Sequence, residues 1–190
     1  MKKKIFALAL VVALLTVVVA GTTLAWLTAT TQEVKNTFTT SDIDITLTET
    51  TGENYKMVPG YTITKDPKVT VLAGSEACWL FVKLEKSDNF DTYMNTYDMA
   101  EGWTLVEGQT NVYARQVSAS DANQAFAVIK NNTVSVRYDV TKAQMNALTA
   151  DTYPTLTVTA YATQLMKNNT TPFTAAEAWA AAGFGTPSTT

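Results

Sequence analysis

Histidine is absent from all 190 residues. A Ser-His-Asp triad, a Cys-His nucleophile pair, an imidazole pH switch and a His-ligated zinc site are therefore excluded by inspection. Cysteine occurs once, as Cys78, so no intramolecular disulfide can form and stability has to come from packing and hydrogen bonds. Charge is sparse, at 16% of residues, with 14 Lys and Arg against 17 Asp and Glu and a formal net of −3. Without a basic stripe, nucleic acid is not an expected partner. No Gly-rich phosphate loop occurs, which argues against a nucleotide fold. The length suits one globular domain.

The charge that is present is unevenly placed. Lys2, Lys3 and Lys4 open the chain, and no acidic residue precedes Glu33. An apolar run over 5–20 follows the lysines and leads into Gly21, Thr22, Thr23, Leu24 and Ala25. Charge, apolar core and small-residue exit, in that order, make the pattern of a secretory signal. A signal peptidase accepts small side chains at −1 and −3, so cleavage of a 1–25 signal is expected between Ala25 and Trp26. The rival reading is a retained anchor, because 5–27 is uncharged and just long enough to span ~30 Å of hydrocarbon as a helix. Export, to the cell surface or the extracellular matrix, is the expected localisation.

From Trp26 onward Thr, Val, Tyr and Ile dominate, side chains that suit a pleated, half-buried surface. Strands are expected at 42–48, 68–72, 77–84, 103–106, 111–117, 133–140 and 155–162. In the first, Ile43, Ile45 and Leu47 share one face; in the second, Val69 and Val71 do. The run 77–84 is bulky at both parities, as befits a central strand covered on both sides, and the core is expected to be organised around it. Short helices are expected at 142–148 and about 175–182. For the latter, Thr174 and Glu177 can form a capping box, Gly183 can end the helix, and Trp179 can anchor it as a lid over one edge or end of the fold. Residues 41–190 thus read as an all-β domain, an antiparallel β-sandwich of jelly-roll or immunoglobulin-like type with short accessory helices.

Chemistry-bearing residues are few. Cys78 lies in the most apolar strand with nothing to ionise it and reads as a packed thiol. Ser87-Asp88-Asn89 copies one element of the serine β-lactamase signature, but its Ser-x-x-Lys and Lys-Thr-Gly companions are missing, so it reads as a turn. The segment 88–98 gathers Asp88, Asp91 and Asp98 with Asn89 and Asn95, oxygen donors of the kind calcium prefers. It lacks EF-hand spacing, and a solvated loop is the simpler reading. A calcium-dependent hydrolase using Asp91 and Asp98 is the weakest alternative. A monomeric adhesin or carbohydrate-binding module, with Tyr93 and Tyr97 as exposed stacking residues, is a stronger one. No catalytic residue, metal site or cofactor is expected, and the protein does not read as an enzyme.

The segment 26–40 is the remaining candidate. Trp26, Leu27, Ala29, Val34 and Phe38 give it apolar positions, and 26–38 holds neither Gly nor Pro. Its alternation is imperfect, so nothing local tells it which sheet to join. It can fold back as an edge strand, add to a neighbouring subunit, or remain a tail.

Several stretches together resemble the TasA/camelysin family of exported proteins, whose signals are cut by a SipW-type peptidase. Gly21-Thr22-Thr23-Leu24-Ala25-Trp26-Leu27-Thr28 is similar to the family's small-residue exit followed by an aromatic residue. The stretch from Asn36 through Phe38 to Leu47 is similar to its phenylalanine-led first strand. Val58-Pro59-Gly60-Tyr61 resembles its Pro-Gly turn ahead of the next strand, although Tyr61 stands where an acidic residue is common. Val158-Thr159-Ala160-Tyr161-Ala162-Thr163-Gln164 is similar to its closing strand. The resemblance implies a jelly-roll sandwich that assembles into biofilm-matrix fibres when the N-terminal strand of one subunit completes the next. It implies self as the main partner, signal peptidase during export, and other matrix proteins or polysaccharide as further partners. The metalloprotease activity described for camelysin-like relatives is incompatible with a chain that has no histidine.

Overall fold

The computed structural model describes residues 42–52 and 54–184. The signal segment with Ala25, and Trp26, Leu27, Ala29, Val34 and Phe38 of the arm, lie outside them. In chain order the strands are β1 (Ile45–Thr48), β2 (Thr62–Thr64), β3 (Lys68–Val71), β4 (Cys78–Lys86), β5 (Thr104–Leu105), β6 (Val112–Val117), β7 (Gln124–Ala127), β8 (Thr133–Ser135) and β9 (Leu156–Gln164). The helices are α1 (Phe90–Tyr93), α2 (Lys142–Ala147) and α3 (Ala175–Ala181), with 3-10 turns at Lys130–Asn132 and Ala150–Thr152. Every strand pairing is antiparallel, in sheets ordered β1-β3-β7, β2-β8 and β5-β6-β4-β9. The described chain is therefore mostly β, with a few short helices.

β4 is the central element. It pairs with β6 from Cys78↔Val117 to Lys83↔Val112 and with β9 from Cys78↔Gln164 to Lys86↔Leu156. Successive side chains of a strand face opposite ways. Cys78, Leu80, Val82 and Leu84 accordingly enter one core with Val69 and Val71 of β3, Val128 and Ile129. Phe81 enters a second core on the opposite face with Val112, Ala114 and Trp179. This two-sided burial matches what the sequence implies for 77–84.

α3 covers the second face. Thr174 Oγ1 accepts from the Glu177 amide while the Glu177 carboxylate accepts from the Thr174 amide, the expected capping box. Gly183 follows at φ 70°, a conformation glycine adopts without a Cβ penalty. The Trp179 ring lies 5.3 Å from each of Phe81, Tyr161 and Phe184. The helix therefore lies on a sheet face, not over the edge or end expected from its place after the last strand. The alternate face of β4 needed a cover, and α3 supplies it.

Other differences have local causes. The 133–140 run leaves the ladder at Ser135, beyond which Val136 bridges Met94 and Arg137 turns back to pair with Asp139. The 103–106 run pairs only over Thr104–Leu105, although Trp103 and Val106 are both buried. Leu47 is 39% exposed, while Ile43 and Ile45 pack on the core. β7 has a Gln-Ala-Phe-Ala sequence of weak strand propensity, and its pairing with β3 overrides that local preference. Arg115 of β6 carries its guanidinium 3.8 Å from the Phe126 ring centroid and 5.4 Å from that of Trp103. Burial lowers its pKa, and the cation rests on aromatic faces, with no ion pair to a carboxylate among the described residues.

Phe81→Ala is expected to cost ~3–5 kcal/mol, because it opens a cavity where the rings of α3, β4 and β9 meet. Leu47→Ala, on a partly exposed position, is expected to cost ~0.5 kcal/mol or less. Urea denaturation of the two variants measures the contrast.

Candidate functional site

Two features of the described residues adjoin each other. One is the outer edge of β9. The Leu165 amide bonds to the Ala77 carbonyl and the Ser87 amide to the Thr155 carbonyl, which places the odd-numbered residues of β9 in hydrogen-bonded pairs with β4. In an antiparallel ladder the intervening residues turn their amide and carbonyl groups to the other side. The groups of Val158, Ala160 and Ala162 thus face outward, and among the described residues no strand pairs with them. Strand edges of soluble proteins are usually short or blunted by Lys, Pro or bulges. β9 runs nine residues, LTVTAYATQ, with no charge, proline or glycine. β1, itself an edge strand, lies against it.

The other feature is a cleft of about 740 Å³ that begins where β9 begins, at Thr155 and Leu156. Its walls come from Ile63 of β2, Val134 of β8, Phe90 of α1, Met145 and Leu148 around α2, and the stretches 54–58 and 153–156. Met57, Met94 and Met145 give three flexible, polarizable side chains to one surface, a composition that adapts to varied apolar partners. α2 is set by a capping box in which Thr141 and Gln144 exchange hydrogen bonds. No feature of local sequence reveals this cleft, because its walls come from stretches far apart in the chain.

Polar ties hold the walls. Ser87 Oγ donates to Asn89 Oδ1 at 2.8 Å and accepts from the Thr155 amide at 2.9 Å, while Asn89 Nδ2 donates to the Thr152 carbonyl at 2.8 Å. Ser87-Asp88-Asn89 therefore fastens α1 to the approach to β9. On the opposite wall, Glu49 accepts from the Tyr55 hydroxyl at 2.7 Å and from Lys65 Nζ at 2.8 Å. Asp66 accepts from the Thr50 hydroxyl, from the Thr50 and Thr51 amides at 3.1 Å, and from the Thr51 hydroxyl at 2.9 Å. The Thr50 hydroxyl foremost, with the Thr51 contacts, holds the Asp66 carboxyl down to about 2.

The other residues singled out from sequence do not converge on a reactive site. Cys78 is buried, and burial pushes its thiol up to about 11, as a packed structural thiol requires. Asp91 pairs with Lys86 at 2.8 Å and Asp98 with Lys130 at 3.1 Å. Among the described residues no group of three or more His, Cys, Asp or Glu side chains could hold a metal ion. The 88–98 stretch is also not a plain loop, since α1 lies within it. Tyr93 is only 8% exposed, and the half-buried Tyr97 packs edge-on against Phe90, so neither forms the exposed stacking surface considered from sequence.

A carboxylate whose folded-state pKa is depressed stabilises the fold fully above its unfolded value and ceases to do so as pH falls through the folded value. The Asp66 clamp is therefore expected to persist down through pH 4 and to release near pH 2. An NMR titration of the Asp66 carboxyl with a midpoint in the ordinary range near 4 would contradict it. Cys78 is expected to resist an aromatic disulfide reagent in native protein at pH 8 and to react at once in denaturant. Comparison of the chain with protein-family models, curated proteins and solved structures yields no match.

Proposed function

We propose that this protein is a secreted, non-enzymatic structural subunit of an extracellular fibre of the biofilm-matrix kind. In this reading it is built on a jelly-roll sandwich and assembles by donor-strand exchange. The 26–38 segment of one copy adds as a strand to the outer edge of β9 in the next, and apolar side chains among Trp26, Leu27, Ala29, Val34 and Phe38 fill the adjoining cleft. The observation that carries the reading is β9: nine uncharged residues whose outer main-chain edge no strand pairs with among the described residues, beginning at a mostly apolar cleft. Main-chain hydrogen bonds supply affinity in strand addition, and pockets for alternate side chains supply selectivity. No cofactor is needed. The partners in this reading are other copies of the chain, with signal peptidase acting during export.

Electron microscopy of protein lacking residues 26–37 is expected to show no fibres. Ala160→Pro tests the acceptor side separately. The amide of Ala160 faces away from β4, so proline there removes no bond of the β4–β9 ladder but blocks an incoming strand. That variant is expected to keep the circular dichroism spectrum of the parent and to lose assembly. Unchanged fibres from both variants would refute the mechanism.

A further inference from the structure

Glu49 directly follows β1 and Lys65 directly follows β2, and Lys65 Nζ lies 2.8 Å from Glu49 Oε2. We propose that this pair condenses to an intramolecular amide, a covalent tie between the ends of the two strands made by the protein's own residues. The modification is independent of whether the chain assembles.

Two observations set this pair apart. Its side chains are only 12% and 17% exposed, whereas those of the other five ion pairs among the described residues are 30–76% exposed. Its second carboxylate oxygen is also engaged: Glu49 Oε1 accepts from the Tyr55 hydroxyl at 2.7 Å and from the Asp66 amide at 3.1 Å. The Tyr55 hydroxyl is itself held against Thr51 Oγ1 and the Gly52 carbonyl. One oxygen of Glu49 thus meets the amine while the other meets two donors, the arrangement that stabilises charge developing during acyl transfer.

An ammonium ion has no lone pair and a carboxylate resists attack, so the reactive form is the neutral pair. It is reached when one proton passes along the 2.8 Å hydrogen bond from Nζ to Oε2. The fold keeps the two groups together for the lifetime of the protein, so a small population of that form suffices. The Nζ lone pair then attacks Cδ, and negative charge gathers on Oε1 between its two donors. A second Nζ proton passes to Oε2, the Cδ–Oε2 bond breaks, and water leaves. What remains is an Nζ–Cδ amide with one N–H, formed without oxidant or cofactor. The bond closes a loop over 49–65, a constraint of the kind a disulfide gives, in a chain whose single cysteine can form none internally.

Trypsin does not cut after a lysine whose Nζ is acylated. Its peptide 36–56 holds Glu49, and its peptide 57–65 ends on Lys65. Tandem mass spectrometry of the full chain digested in denaturant is expected to show a branched fragment joining 36–56 to 57–68, lighter by one water than the two peptides together. Glu49→Ala and Lys65→Arg are each expected to abolish it and return linear peptides. Tyr55→Phe removes one donor from Oε1 and is expected to raise the unjoined fraction several-fold in freshly made protein. The digest reads bonds, so a variant that folds poorly is read as clearly as the parent. Free 57–65 as the main product from the parent would overturn the proposal, as would a branched fragment persisting in Lys65→Arg. A Tyr55→Phe protein joined as completely as the parent would remove the geometry on which it rests.

Discussion

β4 has apolar side chains on both faces and hydrogen-bonding neighbours on both edges, and these demands organise the rest of the molecule. One face is met by the valines of β3 and by the 128–129 stretch, the other by Trp179 and the aromatic residues around it. Burying two faces of one strand yields much apolar contact from few residues, and it does so without a disulfide. The arrangement has a topological consequence. Because β6 and β9 occupy the two edges of β4, the unpaired edges of that sheet move outward to β5 and β9. β5 is two residues long and offers little to an incoming strand; β9 is nine residues long and offers a full ladder. The position that makes β4 the most protected strand is therefore also what puts β9 at the edge of its sheet among the described residues.

Charged and polar groups act in this protein mainly as local fasteners. Asp66 gathers Thr50 and Thr51, Glu49 joins Tyr55 to Lys65, and Glu177 caps α3 while pairing with Lys167. At Arg115, which pairs with no carboxylate among the described residues, aromatic faces take that role. Such ties fix the walls of the apolar cleft without placing any charge along β9.

Much of the architecture could be read in the chain. The alternation in 68–72, the double-sided bulk of 77–84 and the Thr174, Glu177, Gly183 signals at the last helix all act over a few residues, so they leave a direct mark in the sequence. β7 and the early end of β8 left no such mark, because the first depends on a partner strand and the second on a turn stabilised through Arg137 and Asp139. The apolar cleft was invisible for the same reason, its walls being contributed by segments as distant as 57, 94 and 145.

The sequence by itself determined the strand-rich character, the central place of the 77–84 run and the lack of imidazole chemistry. These follow from composition and periodicity, properties each residue carries wherever it lies. Only the tertiary structure decided that α3 lies on a sheet face, that Tyr93 and Tyr97 turn inward, and that a strand as long as β9 stands at a sheet edge. Each depends on which segments become neighbours, and that is settled by packing and hydrogen bonding between residues far apart in the chain.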